Sequence, residues 1–305
     1  MPEWDADFVV DETLVRALIA EQFPELDVGS ARPLGEGWDN SVWVVEERWA
    51  FRFPHREVAI AGVRRELRVL PKLASMLPVP IPAPQLVGAP NERYPWPFFC
   101  APLLLGDEPA EAELTDDDRV AIGEELGFLL RALHSPETLA AVDPQRVLPV
   151  DFNRRADMPY RVAGVRSKLQ RLPTDLWQPL ARVGRILTEA DGLSPVVGGS
   201  EVLAHGDLHI RHVLVERAAI TGVIDWGDIC LADPAIDLML VWMLLPLAAR
   251  ERFFATYGRV DDERLLRARV LALFLGVTLA AYARDVGNAR LERECVKALE
   301  RTLID

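Results

Sequence analysis

The sequence has 305 residues, of which 50% are hydrophobic and 27% are charged. This composition is typical of a globular protein and excludes a disordered or collagen-like chain. The formal net charge of −13 disfavours a nucleic-acid partner, because binding along a polyanion requires a basic surface, and it favours a cationic small molecule. The length allows two modest lobes that share one cleft.

The cysteines and the apolar stretches indicate a cellular location. The three cysteines are odd in number and far apart in the chain, which predicts reduced thiols rather than disulfides or zinc ligands. The N-terminus is acidic, unlike a secretory signal. The longest apolar stretches, Leu238–Ala249 and Val270–Ala281, are shorter than the roughly 20 residues of a spanning helix. We therefore expect a cytoplasmic monomer with no membrane partner.

Hydrophobic spacing predicts strands before about residue 106 and mainly helices after it. The predicted elements of the first part are, in chain order, a helix over 11–23, a β-hairpin over 33–54, a helix over 59–76 and a strand over 95–106. Those of the second part are a helix over Thr115–His134, an irregular helical region over 151–200, short strands at Val213–Val215 and Gly222–Ile224, and helices to the end. The sequence therefore predicts an α+β fold with a small β-rich lobe and a larger α-helical lobe.

The segment HGDLHIRHVLVERAAITGVIDWGDICLADPAIDL, residues 205–238, concentrates ionisable side chains beside two short apolar runs. Phosphoryl transfer requires a carboxylate beside the nucleophilic hydroxyl and separate ligands that hold Mg²⁺ on the phosphates. Asp207, His212 and Asp225 provide these groups. The alternative is that such residues only cap turns and strand ends, which one Asp or His often does.

The order H-G-D-L-H-x-x-H, followed after a short hairpin by I-D-W, resembles the Brenner motif and metal loop of the aminoglycoside phosphotransferase family. The resemblance implies the two-lobe fold of protein kinases, Asp207 as the catalytic base, and His212 and Asp225 as metal ligands. Most of the family has asparagine where this sequence has His212. In this respect the sequence resembles the aminoglycoside 2″- and macrolide 2′-phosphotransferases, which also carry histidine there. The cofactors implied are Mg²⁺ and ATP or GTP as phosphate donor.

Three further residues of this segment have supporting roles in the prediction. His205 opens the motif, and Asp228 is either structural or an outer neighbour of the metal. Asp233 precedes Pro234 and is expected to cap a helix rather than to bind a metal.

The first lobe contains weaker signals for a nucleotide site. Gly35 and Gly37 allow backbone N–H groups to approach phosphates closely, and because the third glycine of the kinase loop is absent, Ser41 and its neighbours are expected to help. Arg52 stands where kinases keep a phosphate-pairing lysine, and Glu66 resembles its helical partner. The alternatives are a surface cross-strand residue for Arg52 and an ordinary charged helix position for Glu66.

The resemblance also divides the chain by function. Residues 1–105 are expected to form the nucleotide-binding lobe, with a hinge over 98–105 in which Cys100 and Leu103 receive the base mainly through backbone groups. Residues 106–305 are expected to carry the catalytic loop, the metal loop and the acceptor site.

The acceptor follows less directly from the sequence. The expected activity is O-phosphorylation of an aminoglycoside, which confers antibiotic resistance. A macrolide is the nearest alternative, followed by a metabolic acceptor of the choline or sugar kind. Arg52, His212 and the missing glycine also leave open a nucleotide-binding pseudokinase.

Overall fold

The structure, a computed structural model, divides the chain into two compact units. The residues described are 6–37, 39–173, 175–196 and 198–304. The first unit comprises the described residues up to Ser75, Pro80–Leu104 and Trp226–Ile229, and the second comprises Met76–Val79, Leu105–Asp225 and the described residues from Cys230 onward.

The first unit is built on an antiparallel sheet of five strands in the order β1-β2-β3-β5-β4. Its α-helices and strands are α1 (Glu12–Gln22), β1 (Arg32–Glu36), β2 (Asn40–Val45), β3 (Trp49–Pro54), α2 (Ile60–Leu73), β4 (Leu86–Gly88) and β5 (Phe98–Pro102). The predicted hairpin is formed by β2 and β3. Its turn places Glu46 and Glu47 at φ values of 56° and 48°, the left-handed conformation that tight hairpin turns require.

The two faces of this sheet have different environments. The aromatic side chains of Phe51, Phe53 and Phe98 face the side of α1, and the rings of Phe53 and Phe98 stack with centroids 4.7 Å apart. The opposite face carries Phe99 and Ala101, which pack with Val63 of α2. Because side chains alternate along a strand, Arg52 lies on the α2 face, between the core residues Phe51 and Phe53.

The second unit contains eight of the described α-helices and two small sheets, in which β6 pairs with β9 and β7 with β8. The elements are α3 (Asp116–Leu133), α4 (Pro136–Val142), α5 (Met158–Arg171), α6 (Leu180–Ala190), β6 (Val202–Ala204), β7 (Val213–Glu216), β8 (Ala219–Val223), β9 (Cys230–Ala232), α7 (Ala235–Leu244), α8 (Leu247–Tyr257), α9 (Asp262–Asp285) and α10 (Ala289–Thr302).

Helices α7 and α9 form the centre of this unit. All ten residues of α7 are buried, and α9 packs against α5, α7 and α10. At 24 residues, α9 is longer than the apolar stretch that the sequence suggested. Among the described residues it is the one helix long and apolar enough to cross a membrane, but more than half of its apolar window is buried inside the protein. That burial is typical of a core helix.

Candidate active site

The loop between β6 and β7 holds the H-G-D motif, and α7 fixes its backbone. The carboxylate of Asp237 accepts the N–H of His205 at 2.8 Å and the N–H of Gly206 at 3.1 Å. Burial acts to raise the pKa of Asp237, but hydrogen bonding from His134 and the loop outweighs it and holds that pKa below its ordinary value. His134 in turn contacts the hydroxyl of Tyr257 at 2.8 Å. An ionised, fully buried carboxylate therefore anchors the start of the loop.

His205 connects this loop to the residue before Asp225. Its Nε2 donates to the carbonyl oxygen of Ile224 at 3.0 Å, and its Nδ1 accepts the N–H of Asp207 at 3.2 Å. These two bonds require the neutral imidazole with the proton on Nε2. Burial lowers the pKa of His205, in agreement with that form. His205 is thus a structural bridge between the two segments that carry the candidate chemistry.

Asp207 is an ionised carboxylate with a cation beside it. Its Oδ1 accepts from Nη2 of Arg155 at 2.8 Å, and its Oδ2 lies 3.7 Å from Nε2 of His209. Burial would raise the pKa of Asp207, yet Arg155 and the neighbouring histidines lower it to about 2. With 27% of its side chain exposed, the carboxylate is both charged and accessible, as a group that accepts a hydroxyl proton must be.

His212 links Asp207 to Asp225. Its Nδ1 donates to the carbonyl oxygen of Asp207 at 2.8 Å, and its Nε2 lies 3.4 Å from Oδ2 of Asp225. Since a carbonyl oxygen can only accept, Nδ1 carries a proton, and in the neutral imidazole Nε2 then presents a lone pair to the carboxylate. Two acceptors that face each other at this distance repel unless a cation or a proton lies between them. Asp225 itself has a φ of 63°, a strained conformation of the kind found at functional sites.

This arrangement fits a divalent cation. The oxygen of Asp225 and the lone pair of His212 could serve as two ligands of one ion, and Mg²⁺ completes its shell with waters and phosphate oxygens. Asp207, His209 and His212 also bring ligand atoms within 4.8 Å of one another. However, Nδ1 of His209 accepts the N–H of Arg211 at 3.2 Å, so its proton is on Nε2. Of these groups, His212 and Asp225 suit a metal best.

His209 and Arg155 are the two site residues that the sequence did not reveal. The ring of His209 stacks on that of His212 with centroids 3.8 Å apart, and burial lowers the pKa of His209 well below its ordinary value, so that it packs as a neutral ring. His209 stands inside the motif, which was the available signal. Arg155 lies in the region 151–200, where no sequence pattern indicated that it faces Asp207.

In the first unit, Arg52 and Glu66 form the predicted pair. Nη1 of Arg52 lies 2.9 Å from Oε1 of Glu66, whose side chain is fully buried. The strand register aligns Gly35, Val42 and Arg52 across the sheet, and a side chain added at Gly35 would meet no atom of the described residues within 4 Å. Among the described residues, none therefore fills the space directly above Gly35, on the sheet face of Arg52.

Two other predicted nucleotide residues, Ser41 and Cys100, are placed differently from what the sequence suggested. Ser41 pairs with Phe53, so its hydroxyl lies on the sheet face opposite Arg52, where it accepts from the indole of Trp43. Cys100 is a sheet residue rather than a hinge residue, because its carbonyl accepts the N–H of Gln85 and its thiol is buried, which raises the thiol pKa to about 12. Leu103 follows β5, and its N–H donates to Arg48.

The remaining predicted residues are structural or lie in the other unit. Asp233 accepts the N–H of Ala235 at 2.8 Å at the start of α7 and pairs with Arg264 at 3.2 Å, which explains its position before Pro234. Asp228 belongs to the segment Trp226–Ile229 of the first unit. Gly37 closes the loop between β1 and β2, where its N–H donates to Asn40.

The antiparallel sheet and the larger helical part define a kinase-like architecture, and a family match identifies the chain as a phosphotransferase. A sequence profile described as "Phosphotransferase enzyme family" matches residues 30–272, and the chain belongs to this family. The two-lobe α+β fold expected from the sequence is confirmed.

Solved structures and one curated protein give more specific likenesses. The GDP and kanamycin complex of APH(2″)-IIIa is 22% identical, with 94% of this chain and 97% of that chain covered and a TM-score of 0.66. The apoenzyme of macrolide 2′-phosphotransferase MphH from Brachybacterium faecium is 26% identical, with 93% and 97% covered and a TM-score of 0.61. The uncharacterized protein YcbJ of Bacillus subtilis (strain 168) is 31% identical over 119 residues, which are 38% of this chain and 35% of that protein. The match therefore spans about a third of this curated relative.

Proposed function

We propose that this protein transfers the γ-phosphate of ATP or GTP to a hydroxyl group of a small molecule, with Asp207 as the catalytic base. The observation that carries the proposal is the ionised, accessible carboxylate of Asp207, which backbone bonds to His205 and His212 hold in place. In phosphoryl transfer such a carboxylate orients the attacking hydroxyl and accepts its proton.

The other groups divide the remaining tasks. His212 and Asp225 would hold Mg²⁺, which supplies charge neutralisation for the transferred phosphoryl group. Arg52, kept in place by Glu66, would pair with donor phosphates through its planar fork, and the open backbone at Gly35 leaves room for them. Leu103 and the residues after it, which follow β5, are the proposed contact for the base.

Two nucleotides are candidates for the donor, and three chemical classes are candidates for the acceptor. The similar structures include complexes with GDP and with ATP, so either nucleotide is a suitable donor. An aminoglycoside acceptor is favoured by the net charge of −13 and by the kanamycin complex of a similar protein. A macrolide is favoured by the likeness to MphH, and a metabolic alcohol is the third candidate.

The proposal is tested with purified protein, Mg²⁺, each nucleotide and a panel of acceptors from the three classes. We expect nucleotide consumption that depends on one acceptor class. We also expect Asp207→Asn to reduce turnover by about 10²- to 10⁴-fold, the usual contribution of general base catalysis, with nucleotide affinity changed by less than about twofold.

The matched control is Asp285→Asn, which removes an exposed carboxylate at the end of α9 and should leave turnover unchanged. Retention of near-native turnover by Asp207→Asn would remove Asp207 from the role of base. Tight nucleotide binding without turnover on any acceptor would instead identify a pseudokinase.

A further inference from the structure

We infer that Arg155 is a specificity-determining residue that selects against acceptors with an ammonium group beside the reacting hydroxyl and in favour of acceptors that are neutral or anionic there. The inference rests on the proposed function, since it concerns the molecule that approaches Asp207. It opposes the preference for a cationic acceptor that the net charge of the chain and the kanamycin complex of a similar protein suggest, because it concerns the charge directly beside the reacting hydroxyl.

The first observation is the contact itself. Nη2 of Arg155 lies 2.8 Å from Oδ1 of Asp207, and the two side chains are 17% and 27% exposed. One oxygen of the proposed base therefore already holds a cation. A hydroxyl that reaches the other oxygen arrives within a few ångströms of a guanidinium charge, which an arginine keeps at every physiological pH.

The second observation is that the backbone around Arg155 is fixed. The carboxylate of Asp151 accepts the N–H groups of Arg155 and Ala156 at 2.7 and 2.8 Å. The side chain of Arg161 donates to the carbonyl oxygens of Asn153 and Arg154. A loop held by four side-chain hydrogen bonds presents Arg155 to Asp207 in a defined place, as a preorganised site requires.

The third observation is the local charge. Residues 151–171 contain six basic and two acidic side chains, although the whole chain has a net charge of −13. Ion pairs between partly exposed groups stabilise a fold little, so the stability of the loop does not require this excess. Arg154 and Arg166 pair with Asp157 and Asp191, whereas Arg155 pairs with the proposed base Asp207.

The consequence for the acceptor follows from Coulomb's law. An ammonium group on the carbon next to the reacting hydroxyl would stand close to the guanidinium of Arg155. We expect this repulsion to exceed the attraction of the already paired Asp207 carboxylate and to reduce binding by at least about tenfold. A neutral neighbour avoids this repulsion, and a carboxylate or phosphate neighbour is attracted to the guanidinium. The acceptor class is therefore a hydroxyl compound without a vicinal amine, such as a neutral or acidic sugar or polyol.

The test compares acceptors that differ in this charge and in the acetyl groups that remove it. Glucosamine is paired with N-acetylglucosamine, and kanamycin with its fully N-acetylated form, because acetylation keeps the hydroxyls and removes the ammonium groups. For each pair, kcat/KM is measured with the wild-type protein, Arg155→Gln and the charge-retaining Arg155→Lys. We expect the wild type to prefer the neutral member by at least about tenfold, Arg155→Gln to lose most of that preference, and Arg155→Lys to keep it.

The ratio of kcat/KM between the two members of each pair distinguishes a specificity role of Arg155 from a structural role. A purely structural Arg155 would lower turnover on both members equally, and the added bulk of the acetyl groups cancels when the wild-type and variant ratios are compared. An unchanged ratio in Arg155→Gln, or a wild-type preference for the ammonium form, overturns the inference. If the wild type phosphorylates no acceptor, the proposed function fails separately. The binding affinity of the same pairs, measured by calorimetry, then tests the inference. Arg155→Gln should bind the ammonium member, relative to the neutral member, at least about tenfold more tightly than the wild type does. Equal affinity ratios in the two proteins would contradict the inference.

Discussion

The Arg52–Glu66 pair of the first unit and the Asp207 cluster of the second are both ionic, but they differ in burial and in the number of partners. Arg52 and Glu66 are 16% and 0% exposed, and their side chains lie 2.9 Å apart. Asp207 is 27% exposed and is surrounded by Arg155, His209 and His212. The anion of the first arrangement is fully buried, whereas the anion of the second is partly exposed.

This difference determines where a mutation should show its effect. Removal of one member of a buried pair leaves an uncompensated charge in a low-dielectric environment, which costs much more than the loss of an exposed contact. A change in the pair of the first unit should therefore appear mainly as lost stability, and a change in the cluster of the second unit as lost turnover or metal affinity. Three substitutions test this contrast.

The largest effect is expected from Arg52→Met. Glu66 would remain buried without its cation, and we expect the free energy of unfolding to fall by about 3–5 kcal/mol. Urea denaturation at neutral pH measures the change. Arg52→Met combined with Glu66→Leu replaces both charges by apolar groups of similar size and should restore stability to within about 1 kcal/mol of the wild type.

The double variant also separates stability from function. If Arg52 pairs with donor phosphates, the restored protein should still bind nucleotide poorly. A single variant as stable as the wild type would mean that Glu66 is not held by Arg52 alone, and a double variant with native nucleotide affinity would remove Arg52 from the donor site.

A smaller effect is expected at His212, on metal affinity rather than on stability. His212→Ala removes the lone pair that faces Asp225 and should weaken the apparent Mg²⁺ affinity by about 10- to 100-fold. His212→Asn offers an amide oxygen, which Mg²⁺ prefers to nitrogen, and should keep substantial activity. Turnover is measured as a function of Mg²⁺ concentration for both variants. Wild-type Mg²⁺ dependence in His212→Ala would exclude the metal role and leave a histidine that only completes the loop.

The third effect is expected from Asp237→Asn, and it should depend on pH. The folded-state pKa of Asp237 lies below its ordinary value of 3.8, so its ionised form stabilises the fold above that pH, and the stabilisation is lost as the pH falls through the folded-state pKa. At neutral pH we expect the variant to be less stable by about 2 kcal/mol, because the charged acceptor of the loop N–H groups is gone. Unfolding measured near pH 7 and near pH 3 should show this gap narrowing on acidification. A constant gap would show that the charge of Asp237 does not contribute.

The sequence predicted those features that depend on local patterns. The alternation of Trp49, Phe51 and Phe53 placed Arg52 on the opposite sheet face, and the spacing of the H-G-D motif brought Asp207, His212 and Asp225 into one segment. Both signals act over a few residues, where strand periodicity and motif spacing determine the geometry.

What the sequence did not predict depends on contacts between distant segments. Arg155 meets Asp207 across 52 positions of the chain, and no local pattern encodes that contact. The paired strands β6 and β9 are only three residues long each and were not predicted, since such short strands carry almost no periodic signal. Cys100 was assigned to the hinge because the sequence does not show where β5 ends.

The most direct test of the central claim is phosphorus NMR of the wild-type protein with Mg²⁺, ATP or GTP, and the acceptors described above. If the protein is an O-phosphotransferase, a phosphomonoester resonance of the acceptor should grow as the γ-phosphate resonance declines, with little inorganic phosphate. Formation of inorganic phosphate alone, or no change of the nucleotide with any acceptor, would contradict the account.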